Sequence, residues 1–276
     1  MRRAVDAATI ALLSIAASVV LASSAHAQTP RVPPASGYQF QDERSVDRFL
    51  VQRWIITDSP EVSPSGYCEC ITLVYEGDRK VLDLGRDSGI TNVTAIRDVT
   101  GDRRAELVID QNSGGAHCCA SMTIYSVETS PRSLLSISTG NCPASLMDLD
   151  KDGTPEVSTC DDAFSYEFCS FAYSPFPPVV FAYDRRRAEF TLATPRFAKY
   201  LPPPDTNDAR KQMDDNTGDL DIVRCAALGP ALTFIYTGRV VEGQRLFREL
   251  YRAPDAAKAE QKAMDLVRKS RLWMAR

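Results

Sequence analysis

Histidine is nearly missing from this chain: two residues in 276, His26 and His117. Histidine is the usual general base at neutral pH and the commonest transition-metal ligand, so its scarcity narrows the chemistry available. There is no G-x-S-x-G nucleophile elbow, no H-E-x-x-H pair and no glycine loop of the phosphate-cradling kind. Those absences exclude the usual lipase, zincin and P-loop readings. After Ala22 no apolar run is long enough to span a bilayer as a helix. An excess of positive charge is lacking too, since the formal net charge is −4. A mildly acidic chain is a poor general binder of nucleic acid.

The one long apolar run is at the start. Arg2 and Arg3 precede an apolar stretch from Ala7 to Ala22, and Ala25-His26-Ala27 is an A-x-A cleavage site. This predicts a secretory signal peptide over residues 1–27 and a periplasmic or secreted location. Cleavage would leave 30 Lys and Arg against 35 Asp and Glu, a net −5, with His117 the remaining histidine. No cysteine precedes Cys68, so no amino-terminal cysteine is available for a lipid anchor.

All eight cysteines follow that segment: Cys68, Cys70, Cys118, Cys119, Cys142, Cys160, Cys169 and Cys225. An even count in an exported chain implies disulfides, and eight cysteines allow 105 connectivities. One pair has a geometric argument. If the turn near Asp152 closes a hairpin, residue 144 faces residue 160, and Cys142 lies diagonal to Cys160 at about bridging distance.

Two nine-residue loops carry the strongest chemical signal. In Asp148-Leu149-Asp150-Lys151-Asp152-Gly153-Thr154-Pro155-Glu156, side-chain oxygens stand at positions 1, 3, 5 and 9. Gly153 supplies a sharp turn, and the backbone carbonyl of Thr154 is the position-7 ligand. Calcium takes six to eight oxygen ligands, which alternate carboxylates on a tight loop provide. Position 12 is Thr159, not the glutamate an EF-hand requires, and short strands flank the loop. A calcium loop at a hairpin tip fits better. Fifty residues upstream, Asp98, Thr100, Asp102, Arg104 and Glu106 occupy positions 1, 3, 5, 7 and 9 of a second copy. Thr100 is neutral and Arg103 replaces the turn glycine, so this copy is expected to bind calcium more weakly. The alternative for both is a metal-free Asx turn, which Asp and Gly also favour.

The offset of 50 also superposes Val74 on Ile124, Tyr75 on Tyr125 and Leu107 on Val157. A fixed period of this size indicates a repeat architecture. Residues 96–109 and 146–158 resemble FG-GAP or VCBS-type repeats, the blade units of integrin-like β-propellers, through the D-x-D/N-x-D-G-x-x-D/E loop. The resemblance spans roughly residues 65–195 and implies calcium-loop blades; about two and a half repeats are countable, and a closed propeller needs at least four. A third stretch, Val179 to Tyr183, matches Met122 to Tyr125 only after an insertion of about eight residues.

The fold class expected is mainly β: an antiparallel, propeller-blade-like repeat array over 65–195 with a small α-helical domain over 218–276. Residues 28–64 are expected to be a lead-in, with a short helix from Ser45 that becomes extended by Ile56. Residues 196–217 read as a linker. In the tail, Gly229-Pro230 is expected to break the first helix. Gly243, Leu246, Phe247 and Leu250, then Ala259, Ala263, Leu266 and Val267, recur at helical spacing, and Asp255 caps the last helix. The tail needs a partner for its apolar stripes, and Cys225 is a candidate tether to the strand array. Ten Lys and Arg against five Asp and Glu between Arg239 and Arg276 read as a solvated helical face.

The functional expectation is an exported calcium-binding protein with a binding or structural role toward an unknown protein or glycan ligand. The rival is an exported enzyme or transition-metal site at His117, beside Cys118 and Cys119.

Overall fold

A computed structural model describes residues 32–58, 67–115, 119–128 and 130–274. The leader expected over residues 1–27 lies outside them, as do His117 and Cys118. Among the described residues, no helix is long and apolar enough to cross a membrane.

The fold is mainly antiparallel β. Seven strands form one sheet in sequence order: β1 (Tyr38–Val46), β2 (Phe49–Ile56), β3 (Cys68–Glu76), β4 (Arg79–Arg97), β5 (Ala105–Asn112), β6 (Ala120–Ser126) and β7 (Arg132–Gly140). Four more, β8 (Ser145–Met147), β9 (Glu156–Cys160), β10 (Pro178–Asp184) and β11 (Glu189–Leu192), form a second sheet in the order β11-β10-β9-β8. Every pairing is antiparallel, and the strands close into neither a barrel nor a propeller.

β4 spans 19 residues and serves two neighbours. Its first half, Arg79 to Gly89, pairs with β3; its second half, Ile90 to Arg97, pairs with β5. The chain thus runs as three four-stranded meanders: β1 to β4, β4 to β7, and β8 to β11. The 50-residue offset has a structural counterpart. It superposes β3 on β6, the third strands of the first two meanders, and β5 on β9, the second strands of the last two. Leu107 lies opposite Tyr125 as Val157 lies opposite Phe181, which makes the insertion six residues by register rather than about eight.

The stretch expected to begin as a helix at Ser45 is instead a hairpin. Val46 pairs with Phe49 around Asp47-Arg48, where Asp47 takes φ 53°. Phe49, Val51, Trp54 and Ile55 are buried on both faces of β2, and β-branched and aromatic side chains suit a pleated surface packed on both sides. A helix would have buried only one stripe of them.

The polar stretch 196–217 contains helix α2 (Thr206–Asp215), because Asp205 caps it: one carboxylate oxygen accepts from the Asn207 and Asp208 N–H groups at 3.1 and 2.8 Å. A short helical turn, α1 (Thr194–Phe197), precedes it. Asp219 caps α3 (Leu220–Tyr236) in the same way. Pro230 does not break α3. A proline inside a helix costs about 3 kcal/mol, but this one is buried with Ala226, Ala227, Leu228, Ala231, Leu232, Ile235 and Tyr236, and that burial outweighs the penalty.

α4 (Val240–Leu250) and α5 (Ala256–Lys269) bury the predicted stripe residues Gly243, Phe247, Ala259, Ala263 and Val267. Asp255 stands at the start of α5 without capping it; its carboxylate accepts from the Tyr251 hydroxyl at 2.7 Å and from Arg224 at 2.8 Å.

The helices have no separate core. Val108 and Ile124 of the larger sheet, Val157 and Val179 of the smaller, and Leu232, Phe247 and Val267 of the tail belong to one buried cluster. Cys169 is bridged to Cys225, so a disulfide joins the segment after β9 to α3. A polar knot adds to it. Asp161, 2% exposed, accepts from the Tyr236 hydroxyl at 2.5 Å and from the Ser270 hydroxyl, which ties α3 and the end of α5 to the end of β9. Burial, then the Asp161 carboxylate beside it, pushes the Tyr236 phenol far above its ordinary value.

Cys142 is bridged to Cys160, as the hairpin geometry predicts. The register is one residue off the predicted one: Ser145 faces Ser158, not residue 159. Cys68 is bridged to Cys70 within β3. Every described cysteine is in a disulfide, Cys119 included.

Candidate metal centre

The two acidic loops connect equivalent strands: residues 98–104 join β4 to β5, and residues 148–155 join β8 to β9. Each joins the first and second strands of a meander. Their internal hydrogen bonds repeat as well. The position-9 carboxylates are buried, Glu106 at 1% exposure and Glu156 at 3%. Glu106 Oε2 accepts from the Val99 N–H at 2.9 Å, and Glu156 Oε2 accepts from the Leu149 N–H at 2.9 Å. The position-5 aspartates fold back alike. Asp102 Oδ1 accepts from the Arg104 N–H at 2.9 Å, and Asp152 Oδ1 accepts from the Thr154 N–H at 2.8 Å.

The backbone explains why the loops look different in sequence yet take one shape. Positions 4 and 6 are left-handed in both. In the first loop they are Gly101 (φ 78°) and Arg103 (φ 67°); in the second, Lys151 (φ 63°) and Gly153 (φ 90°). Glycine adopts this region without the Cβ penalty, and each copy supplies it at one of the two places. Asp98, at position 1, is left-handed as well, at φ 63°.

In the second loop, oxygens of Asp148, Asp150 and Glu156 all lie within 4.8 Å of one another. Asp148 is also held by the loop backbone, accepting from the Asp152 and Gly153 N–H groups at 3.1 and 3.0 Å. Asp152 stands outside the converging group and serves the Thr154 N–H. In the first loop Thr100 replaces the middle carboxylate; its hydroxyl donates to Glu106 Oε1 at 3.5 Å. The carbonyl of Arg104, the position-7 oxygen, accepts from the Asp98 N–H at 2.8 Å, and the Arg104 side chain pairs with Glu128.

The electrostatics are unfavourable for a site of acids alone. Burial, together with the nearby Asp102 and Asp98 charges, pushes the Glu106 carboxyl up to about 7. Burial, with Asp150, Asp152 and Asp148 around it, raises Glu156. One oxygen in each loop, Asp98 Oδ1 and Asp150 Oδ1, is buried and has no hydrogen-bond partner among the described residues. A buried, unpaired carboxylate oxygen is costly, and a hard cation is the group that would satisfy it.

The rival centre at His117 and Cys118 lies outside the described residues. Cys119 is exposed and disulfide-bonded, so it offers no thiolate to a metal or a substrate.

Compared with known proteins, the chain matches no family model, no curated protein and no solved structure.

Proposed function

We propose that this chain is an exported calcium-binding β-protein, built from FG-GAP or VCBS-type repeats, whose role is binding or structural. Calcium sits in the loop of residues 148–156 and, more weakly, in that of 98–106. The observation that carries the reading is the second loop: three carboxylates converge within 4.8 Å, and a buried oxygen of one of them has no partner. The first loop supports it by repeating the same backbone conformation and the same Glu and Asp hydrogen bonds around fewer charges. Calcium tolerates such irregular oxygen shells, whereas magnesium demands near-ideal octahedral geometry. Export is supported by the arginine-led apolar run and A-x-A site of residues 1–27 and by the disulfides Cys68–Cys70, Cys142–Cys160 and Cys169–Cys225, which persist in oxidising compartments. The ion fixes two hairpin tips, and those tips are where a protein or glycan partner is engaged.

Thermal melting tests the calcium reading. Extracellular calcium modules bind at about 10⁻⁴–10⁻³ M. At roughly 10 mM calcium, mass action then adds about 1.5–3 kcal/mol, a rise of about 3–10 °C for a chain of this size. Magnesium should give much less. Asp150→Ala should remove most of the rise and Thr100→Ala little of it. Identical melting curves in calcium and in chelator would end the proposal.

A further inference from the structure

A cleft of about 410 Å³ opens where the strands meet the helical tail, away from both acidic loops. Its walls come from the turn after Cys169, from the Pro202–Pro204 segment and from α2 and α3. Tyr173 and Phe176 supply the aromatic surface, and Asp205, Asp208 and Gln212 supply the polar edge. No Lys, Arg or His lines it among the described residues. Pockets of this size with apolar walls and a few converging polar groups are the usual form of a small-ligand site.

The Phe176 side of the aromatic wall is held by its neighbours, while Tyr173 stands exposed. Phe176 packs against Phe171 with centroids 5.5 Å apart, and Phe171 against Tyr166 at 5.4 Å. The Ser174 hydroxyl, on a residue 8% exposed, accepts from the Tyr166 N–H at 3.0 Å and donates to the Ser170 carbonyl at 3.2 Å. That bond holds Tyr166 at φ 60°, a conformation a bulky side chain takes only under constraint. On the polar edge, Asp205 Oδ1 is used as the cap of α2, and Asp208 Oδ2 accepts from Gln212 at 2.6 Å. Among the described residues, these bonds leave Asp205 Oδ2 and Asp208 Oδ1 without a donor, and both aspartates are exposed.

We propose that this cleft binds an organic cation: an ammonium head on an apolar body, taken between the Tyr173 and Phe176 rings and the Asp205 and Asp208 carboxylates. Aromatic faces attract cations through the ring quadrupole, and the attraction grows as the cation loses water. The two carboxylates supply the countercharge, and no cationic side chain competes. An anion would meet two carboxylates and no donor of positive charge. A neutral body of the same shape would keep the apolar contacts and lose the rest.

Calorimetric titration of the whole chain with choline, and with its uncharged isostere 3,3-dimethyl-1-butanol, separates charge from shape. Choline should bind in the millimolar range, and the alcohol at least tenfold more weakly. Asp208→Asn and Tyr173→Ala should each weaken choline at least fivefold while leaving the melting temperature and circular dichroism near those of the parent. Binding should be the same in chelator, because the cleft shares no residue with the acidic loops, so loss of the calcium reading would leave this one standing. Equal affinity for choline and the alcohol, absence of choline binding, or unchanged affinity in both folded variants would overturn it.

Discussion

Replacing Glu106 by Gln should stabilise the metal-free protein above neutral pH, although it removes a buried hydrogen-bonding carboxylate. Glu106 has its carboxyl pushed from an ordinary 4.5 up to about 7, first by burial and then by Asp102 and Asp98. A folded-state value above the unfolded one means that the native state holds more protons between those two pH values. Stability therefore falls as pH rises from about 4.5 to about 7 and stays low beyond. The gap between 4.5 and about 7 corresponds to about 3 kcal/mol at most. Glutamine keeps an oxygen for the Val99 N–H and has no charge to bury. In chelator at pH 8, urea unfolding should show the variant more stable by about 1–3 kcal/mol; at pH 4 the two should agree to within about 0.5 kcal/mol. Calcium should shrink or reverse the advantage at pH 8, because the ion rewards the charge that glutamine lacks. A variant less stable than the parent at pH 8 in chelator would refute the reasoning, since it would mean that the carboxylate is already compensated within the protein.

Gly153→Ala tests the left-handed position alone, because an added Cβ meets nothing within 4 Å at φ 90°; a loss of about 1–2 kcal/mol is expected, and an unchanged urea midpoint would contradict it. Arg103→Gly, at the same position of the other loop, should instead be neutral to stabilising by up to about 1 kcal/mol, and a clear loss would contradict the equivalence of the two loops. Phe247→Asp places a charge at a residue 2% exposed in the core shared by both sheets and the helices. It should cost more than about 4 kcal/mol and destroy strand and helix signals together; survival of the strand signal would show that the tail is an independent unit.

The acidic loops were legible because their spacing is chemical: oxygens at positions 1, 3, 5 and 9 form a pattern that survives without any structure. Their equivalence was visible through the 50-residue offset, which the strands β5 and β9 reproduce. What the spacing concealed was the division of labour. Asp152 resembles Asp148 and Asp150 in sequence, yet it turns to the Thr154 N–H and leaves the converging group to the others. Backbone direction decides that, and the sequence pattern carries no record of it. The left-handed position 4 has one signal in the sequence: Gly101 stands there in the copy that lacks glycine at position 6.

Elsewhere local cues misled because packing overrode them. Ser45 looks like a helix cap, but Asp47-Arg48 makes a two-residue turn and β2 buries both of its faces. Gly229-Pro230 reads as a break, but the α3 residues around it are almost all buried, and their burial exceeds the proline penalty. The Cys142–Cys160 bridge was found with a register wrong by one, since bridging tolerates several Cα separations. The cleft beside Tyr173 had no sequence signal, because its walls come from three separate segments spread between Ala172 and Thr233.

Titration of the metal-free protein with calcium chloride by calorimetry, for the parent and for Asp150→Ala, tests the central claim most directly. Saturable calcium binding is expected at about 10⁻⁴–10⁻³ M, with a tighter site that disappears in Asp150→Ala and a weaker site that remains. An absence of calcium binding at millimolar concentrations, or identical isotherms for the two proteins, would contradict it.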